Sequence, residues 1–232
     1  MFDFDGTLSK ISEIPKEAYL EKSTKDLLEK ISKHSRVAIV SGRSLPDIKN
    51  KIKLPNLIYS GNHGFEWEIN GKKDSIKISQ VAKKTLEKAR KEFKILAKSY
   101  SGVLIEGKSF GFSVHYRNLL PKKAKSFLQE SKRRDYFLDR DGLILIIKGK
   151  KVLEFRPNID WSKGRFAEFL LNRPNRKFSA VYVGDDTTDE SAFCVLKKGI
   201  TVRIGKKQRS CAEYFIKKGE IDKLLSCFIV MA

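Results

Sequence analysis

Asp3-Phe4-Asp5-Gly6-Thr7-Leu8 sets two carboxylates where the apolar run Met1-Phe2 stops. The same arrangement recurs further on. Val37-Ala38-Ile39-Val40 runs into Ser41-Gly42-Arg43, Leu57-Ile58-Tyr59-Ser60 into Gly61-Asn62-His63-Gly64, and Ala180-Val181-Tyr182-Val183 into Gly184-Asp185-Asp186. Short apolar runs alternating with helical patterns argue an α/β fold built on a Rossmann-like parallel sheet. In such a sheet, ligands bind in the crevice beyond the carboxyl ends of the strands. The polar strand ends are therefore expected to converge on one site.

Between the runs, one helix carries Leu20, Leu27, Leu28 and Ile31 on one side. Ser44 reads as the N-cap of a second, with Asp47 in its first turn. Asp160-Trp161-Ser162-Lys163-Gly164 opens a third, with Phe166, Phe169 and Leu170 facing inward. Thr187 and Glu190 have capping-box spacing. Ile200–Ile204 reads as the last strand, and Cys227-Phe228-Ile229-Val230-Met231-Ala232 as a final packed element.

Residues 78–156 have a different texture. Two Lys/Arg-rich helical stretches, about 79–99 and 121–134, are each followed by a pair of strand-like runs. This helix–strand–strand repeat reads as an open-faced α+β insert. It holds 20 Lys/Arg and 8 Asp/Glu. The expected organisation is a core from residues 1–77 and 157–232, with an inserted domain at 78–156.

The chain has 232 residues, 41% of them hydrophobic, which excludes disorder and suits one large core with a smaller second domain. No apolar run reaches the roughly 20 residues of a membrane helix, and the start shows no charged segment with an apolar stretch behind it. The three cysteines, Cys194, Cys211 and Cys227, are odd in number and widely spaced. They fit neither a disulfide framework nor a zinc site and read as buried or idle thiols in a reducing, cytoplasmic setting. The net charge of +20 raises nucleic-acid binding as an alternative. The basic residues are spread over the chain without an aromatic RNA-binding pattern, so the reading is a solvated surface, no nucleic-acid or membrane partner, and a field that attracts phosphate dianions.

Aspartates brought together repel unless their pKa values rise or a cation joins them. Mg²⁺, which prefers carboxylate oxygen and water, is the economical answer. A metal with a nearby lysine suits phosphoryl transfer, where the protein positions groups and neutralises charge. Lys163 stands at a helix start, against the dipole. It either faces a resident anion or points to solvent.

The chain resembles haloacid dehalogenase-type phosphatases in four motifs taken in order: Asp3-Phe4-Asp5-Gly6-Thr7-Leu8, Ser41, Lys163, and Gly184-Asp185-Asp186-Thr187-Thr188-Asp189-Glu190. The insert is similar to that superfamily's larger, C2-type cap. Within it, the nearer resemblance is to trehalose-6-phosphate phosphatases. That rests on Ser41-Gly42-Arg43, Gly61-Asn62-His63-Gly64, Glu106-Gly107-Lys108, His115-Tyr116-Arg117, Glu154-Phe155-Arg156-Pro157 and Asp160-Trp161-Ser162-Lys163-Gly164.

The resemblance implies Asp3 as nucleophile, forming an aspartyl-phosphate, and Asp5 as general acid and then base. It implies Mg²⁺ on Asp3, Asp185 and the Asp5 backbone carbonyl, with Asp186 and Asp189 orienting the ligands. Asp185 and Asp186 remain exchangeable at this stage. Ser41, Gly42 and Lys163 would hold the phosphate. Glu106, Lys108 and Glu154 would bind sugar hydroxyls, and Arg43, Asn62, His63 and Arg117 would complete the substrate contacts. Arg43 has a second reading as a charge shield, His63 as a loop cap. Cap closure about hinges near Ile78 and Pro157 would exclude water. A trehalose-phosphate synthase is the expected pathway partner.

Two departures from the pattern are Ser162, where the group often has Asn, and the short run before Asp3. The latter suggests a start further upstream, as in a longer synthase–phosphatase, or a frayed strand. The alternatives are a sibling phosphatase for sucrose phosphate or mannosyl-phosphoglycerate, and a non-catalytic basic binding module.

Overall fold

A computed structural model describes residues 1–10, 17–138, 141–149, 151–172 and 179–230, with the side chains of 135–138 left undescribed. Its elements in chain order are α1 (Lys22–Ser32), β1 (Ala38–Val40), α2 (Leu45–Ile52), β2 (Ile58–Gly61), β3 (Glu66–Ile69), β4 (Lys72–Ser75), α3 (Gln80–Lys98), β5 (Leu104–Lys108), β6 (Gly111–His115), α4 (Pro121–Leu138), β7 (Ile144–Gly149), β8 (Val152–Pro157), α5 (Lys163–Leu171), β9 (Val181–Gly184), α6 (Glu190–Val195), β10 (Ile200–Ile204), β11 (Tyr214–Ile216) and α7 (Ile221–Val230). The chain divides into two compact units, Met1–Ile76 with Trp161–Ala232, and Lys77–Asp160.

In the first unit, β1 pairs with β2 in parallel, and β10 pairs in parallel with both β9 and β11. The segment around Phe2 joins the two groups, bridging to Ile39 on one side and Val183 on the other. Phe2 N–H donates to Ala38 O at 2.8 Å, and Asp3 N–H donates to Val183 O at 2.9 Å. The run before Asp3 is therefore short but paired on both edges, in the middle of the sheet, and is not frayed. β3 and β4 extend the β2 edge as an antiparallel hairpin whose outer strand is fully exposed. The sequence reading did not resolve this hairpin, because Lys72–Ser75 carries no apolar alternation to mark it.

Alternation across the sheet makes two cores. Phe2, Ile39 and Val183 face Leu28, Ile48, Ile52 and Leu225 of α1, α2 and α7. Val40 and Tyr182 face Phe166, Ala192 and Phe193 of α5 and α6. The tail element is α7, tied to α1 by the Thr24 hydroxyl donating to Asp222 at 2.6 Å. Met231 and Ala232 of that expected element lie outside the described residues.

The reading of the cysteines is corrected. Cys194 and Cys211 form a disulfide, with Cα atoms 5.1 Å apart, and only Cys227 is a free, exposed thiol. A separation of 17 residues says nothing until α6 and the loop after β10 are folded side by side.

The second unit is an antiparallel sheet of order β5-β6-β8-β7 with α3 and α4 on one face. Phe112, Val114, Leu153 and Phe155 point into that layer and meet Phe93 and Phe127. Phe112 and Phe155 are stacked 4.4 Å apart, and Phe93 lies 4.6 Å from Phe155. Phe93 is fully buried, so Phe93→Ala leaves a cavity under two aromatic rings. It is expected to cost about 3–5 kcal/mol in urea unfolding; a loss below about 1 kcal/mol would show that the unit does not depend on this cluster.

Candidate active site

The paired edges of the Phe2 segment carry Asp3 to the carboxyl end of the sheet, where it is 4% exposed. Across from it, α5 begins at Lys163, with Ser162 as N-cap accepting from Arg165 N–H at 3.3 Å. The Lys163 ammonium is 2% exposed and donates to Asp3 Oδ1 at 2.8 Å and Asp189 Oδ1 at 2.9 Å. The solvent-pointing reading of Lys163 is thus excluded: the resident anions are carboxylates. Burial alone lowers the Lys163 pKa, but Asp3 and Asp189 outweigh it and raise it. Burial pushes the Asp3 carboxyl well above its ordinary range, against the pull of Lys163.

The loop after β9 is held from inside. Asp189 is fully buried, and its Oδ2 accepts from the Asp185 and Asp186 amides at 3.0 and 3.1 Å. Its Oδ1 also accepts from Tyr182 Oη at 2.9 Å. Asp186 turns back on the loop: its Oδ1 accepts from Thr188 N–H and Oγ1, both at 2.7 Å. Although burial works to raise its pKa, the Lys163 charge and the Thr188 hydrogen bonds hold it below the ordinary value. Asp185 differs. Its Oδ1 is buried with no hydrogen-bond partner. A Cβ at Gly6, where φ is +84°, would fall 2.1 Å from Asp185 Oδ2, so only glycine lets the Asp3–Asp5 turn approach this carboxylate. Burial, then Asp186 and Asp189, push the Asp185 carboxyl up to about 6.

The capping box of Thr187 and Glu190 does not form. The N-cap of α6 is Asp189, and Glu190 accepts from Arg203, from Ser210 Oγ at 2.7 Å and from Cys211 N–H at 2.8 Å. Arg203 also donates to the Asp185 and Asp186 carbonyls at 2.8 and 3.2 Å. A tertiary ion pair took the glutamate that a local cap would have used. Beside Asp185 opens a cavity of about 760 Å³, lined also by Arg203, Lys206, Lys207, Lys217 and Lys218.

At the ends of β1 and β2, Ser41 is fully buried and accepts from Arg43 N–H at 3.1 Å. Asn62 and His63 both have positive φ, +48° and +58°. Asn62 N–H donates to Arg43 O at 2.7 Å and His63 N–H to Ser41 O at 2.9 Å, so the two loops are laced together. The His63 ring covers Gly42, where a Cβ would fall 2.6 Å from Cε1. The Asn62 amide is engaged by Glu66 Oε1 at 2.6 Å, which also caps Leu45 N–H at 2.8 Å. Arg43 reaches Asp5 and Asp47.

In the second unit, Glu106, Ser113 and Glu154 stand in one cross-strand row on the face opposite the helices. Lys108 pairs with Glu154, Ser113 Oγ donates to Glu154 at 3.4 Å, and His115 Nε2 lies 3.0 Å from Glu106. Arg117 is exposed on the turn after β6, beyond the strand and off this row.

A sequence profile described as Trehalose-phosphatase matches residues 1–219. The chain belongs to the trehalose-phosphatase family. It is 34% identical over 200 residues, 84% of its length, to a trehalose-phosphate phosphatase of Mycobacterium tuberculosis, and 34% over 209 residues to one of Mycobacterium marinum, 88% of its length. It covers 50% and 53% of those proteins, so it spans about half the length of the curated relatives it matches. In fold it is similar to a trehalose-6-phosphate phosphatase related protein, with a TM-score of 0.77 at 23% identity, covering 99% of this chain and 96% of that one. A haloacid dehalogenase-like hydrolase from Bacteroides thetaiotaomicron gives 0.69 at 14% identity, covering 100% and 98%. The fold is the haloacid dehalogenase core with an inserted cap.

This superfamily's phosphatases imply a divalent metal, and the trehalose-phosphatase residues here fit one. Oxygens of Asp3, Asp185 and Asp189 lie within 4.8 Å of one another. The Lys163 ammonium binds Asp3 and Asp189 with Asp186 close by, and Asp185 keeps a buried oxygen with no hydrogen-bond partner. Sequence reasoning missed Tyr182, Arg203 and Glu66. An arginine inside the apolar run Ile200–Ile204 was the one available signal.

Because the folded Asp185 carboxyl titrates near 6, above its unfolded value of about 4, the metal-free folded state binds its proton more tightly. Its ionisation opposes folding above pH 6, and that cost fades as pH falls through about 6 toward 4. In chelator at pH 8, Asp185→Asn should therefore be more stable than wild type by about 1–2 kcal/mol, allowing for partial solvation, with the gap closing by pH 4. With Mg²⁺ in excess the order should invert, because ligand bound to the folded state adds about 2.7 kcal/mol at a hundred times Kd. Thermal melts under both conditions check this, and an unchanged order would remove the metal from Asp185.

Proposed function

We propose that this chain hydrolyses trehalose 6-phosphate to trehalose and phosphate, using Mg²⁺ and an aspartyl-phosphate on Asp3. The observation that carries the chemistry is the buried Asp3 carboxylate, bound to Lys163 and within metal-sharing distance of Asp185. The substrate rests on the family and on the printed names of the curated relatives.

Asp3 attacks phosphorus in line, and the bond from phosphorus to the sugar oxygen breaks. Asp5 gives that oxygen a proton, then takes one from the water that releases phosphate from Asp3. Lys163 neutralises charge beside Asp3. The Ser41 hydroxyl and the Gly42 amide hold phosphate oxygens. Mg²⁺ on Asp3, Asp185 and the Asp5 carbonyl would neutralise the developing charge on the phosphoryl group. Asp186 and Asp189 keep Asp185 in place, which the inward commitment of their own oxygens supports.

For the sugar, we assign Glu106, Lys108 and Glu154. Lys108 pairs with Glu154 and Glu106 with His115, and each hydroxyl of a polyol both donates and accepts, so a sugar would replace those bonds in kind. His63 and Asn62 act first as loop-formers beside Gly42, and Arg117 stays an outlying candidate. A trehalose-phosphate synthase would supply the substrate. A charged sugar phosphate does not cross membranes, which supports a cytoplasmic setting now that the cysteines no longer argue for one.

Phosphate release from wild type should require Mg²⁺, stop with chelator, and fall by at least about 10³-fold in Asp3→Asn, since a neutral amide is no nucleophile. Asp3→Asn as active as wild type would overturn the mechanism. Over a panel of sugar phosphates, trehalose 6-phosphate should lead in kcat/KM by about tenfold or more, roughly 1.4 kcal/mol of transition-state discrimination. Preference for sucrose phosphate or mannosyl-phosphoglycerate would move the assignment to a sibling enzyme. Salt-dependent nucleic-acid binding without phosphatase activity would replace it with a basic binding module.

A further inference from the structure

The two carboxylates of Asp3-Phe4-Asp5 are assigned to different cations. Asp3 is held by Lys163, whereas Asp5 is held by Arg43 through both oxygens: Nε to Oδ2 at 2.7 Å and Nη2 to Oδ1 at 2.6 Å. The third guanidinium nitrogen, Nη1, donates to Asp47 Oδ2 at 2.8 Å. Arg43 is itself fixed. Its side chain is 10% exposed, its Cζ lies 5.4 Å from the Phe4 ring centroid, its amide donates to Ser41 Oγ and its carbonyl accepts from Asn62. Asp47 sits in the first turn of α2, where its amide donates to the N-cap Ser44 at 3.4 Å. A continuous line of charge-assisted bonds therefore runs from a helix, through Asp47 and Arg43, to Asp5.

Asp5 needs such a line. Its side chain is 42% exposed, and an aspartate on a tight turn with that much solvent samples several rotamers. A guanidinium fork fixes both carboxylate oxygens in one plane, which a point charge cannot do. Each oxygen keeps a further lone pair for a proton. We propose that Arg43 is a positioning residue that orients the proton-transferring Asp5, anchored in turn by Asp47, and that its contribution passes through Asp5 and not through a contact with substrate. This rests on the reading of Asp5 given above.

The test is a double-mutant cycle on the full chain with Mg²⁺ and trehalose 6-phosphate. Arg43→Gln and Arg43→Lys should each lower kcat by about 10–100-fold, part of the 10²–10⁴ that a positioned acid–base group contributes, with KM within about threefold. Lysine keeps the charge but not the fork, so it should not rescue. In the Asp5→Asn background, either change should alter the residual rate by less than about twofold, because the group it orients is already gone.

A KM raised more than about tenfold with kcat intact, an equal loss in both backgrounds, or full rescue by lysine would each overturn the proposal. If the Arg43 variants unfold, Asp47→Asn, at a half-exposed position on α2, carries the test. A severalfold loss of kcat confined to the Asp5 background supports the line of bonds, and no loss refutes it. Wild type inactive on every sugar phosphate would overturn the reading of the site together with this inference; active wild type with a failed cycle would overturn the inference alone.

Discussion

A lysine with 2% of its surface in water, bound to two aspartates that are themselves buried, is the contact on which this fold's chemistry depends. Removing charges from water costs several kcal/mol per ion, and one ion pair seldom repays it. Here three charged groups share the site, and the balance remains negative. The sheet core cannot have been chosen for stability alone at this point, since apolar residues of similar size would pack there at less cost. What the arrangement provides is a carboxylate kept from solvent and fixed by a lysine, as the nucleophile proposed for Asp3 would need. Beside it, Asp185 carries a buried oxygen with no hydrogen-bond partner, the place a divalent cation would fill.

Much of this was legible because strand ends are conspicuous. Asp3, Ser41, Lys163 and Asp185 each stand where an apolar run stops or a helix starts, and periodicity finds such places without knowing the fold. What stayed hidden was the identity of each carboxylate's partner. Asp185 and Asp186 are adjacent and chemically equal in the sequence. They separate only because Thr188 and the Asp189 amide capture one of them, while Gly6 admits the other. The apparent capping box fails for a related reason. Glu190 has the right spacing for Thr187, but Arg203, 13 residues later, offers it a full charge. Local rules describe what a segment does when nothing else competes. Near a charged site something nearly always competes, as the corrected pairing of Cys194 with Cys211 also shows for covalent chemistry.

The loops at the ends of β1 and β2 extend this logic to the backbone. Two consecutive non-glycine residues with positive φ, Asn62 and His63, are costly on their own, of order 1 kcal/mol each or more. They persist because Glu66 holds the Asn62 amide and the start of α2, while the Asn62 and His63 amides bond back to the Arg43 and Ser41 carbonyls. The His63 ring then occupies the space over Gly42. The hairpin strand β3, which carries Glu66, therefore acts on the Ser41–Gly42 end of the sheet from the far side of the loop. A strand with no role in the motifs has become the support for one of them.

Taken together, the site divides its labour by solvent access. Asp3 is sealed in, paired with a lysine and close to Asp189 and Asp186, which would suit the nucleophile proposed for it. Asp5 is two residues away yet 42% exposed and pinned by a guanidinium that reaches back to α2. The proton transfer proposed for Asp5 would have to reach both a leaving oxygen and water, so such a group is not fixed by burial and is fixed by directed bonds instead. The turn from Phe4 to Ser9, closed by the Phe4 carbonyl accepting from the Thr7, Leu8 and Ser9 amides, makes the difference by turning one carboxylate inward and the other outward. Two identical side chains thereby acquire different chemistry from a single bend in the backbone.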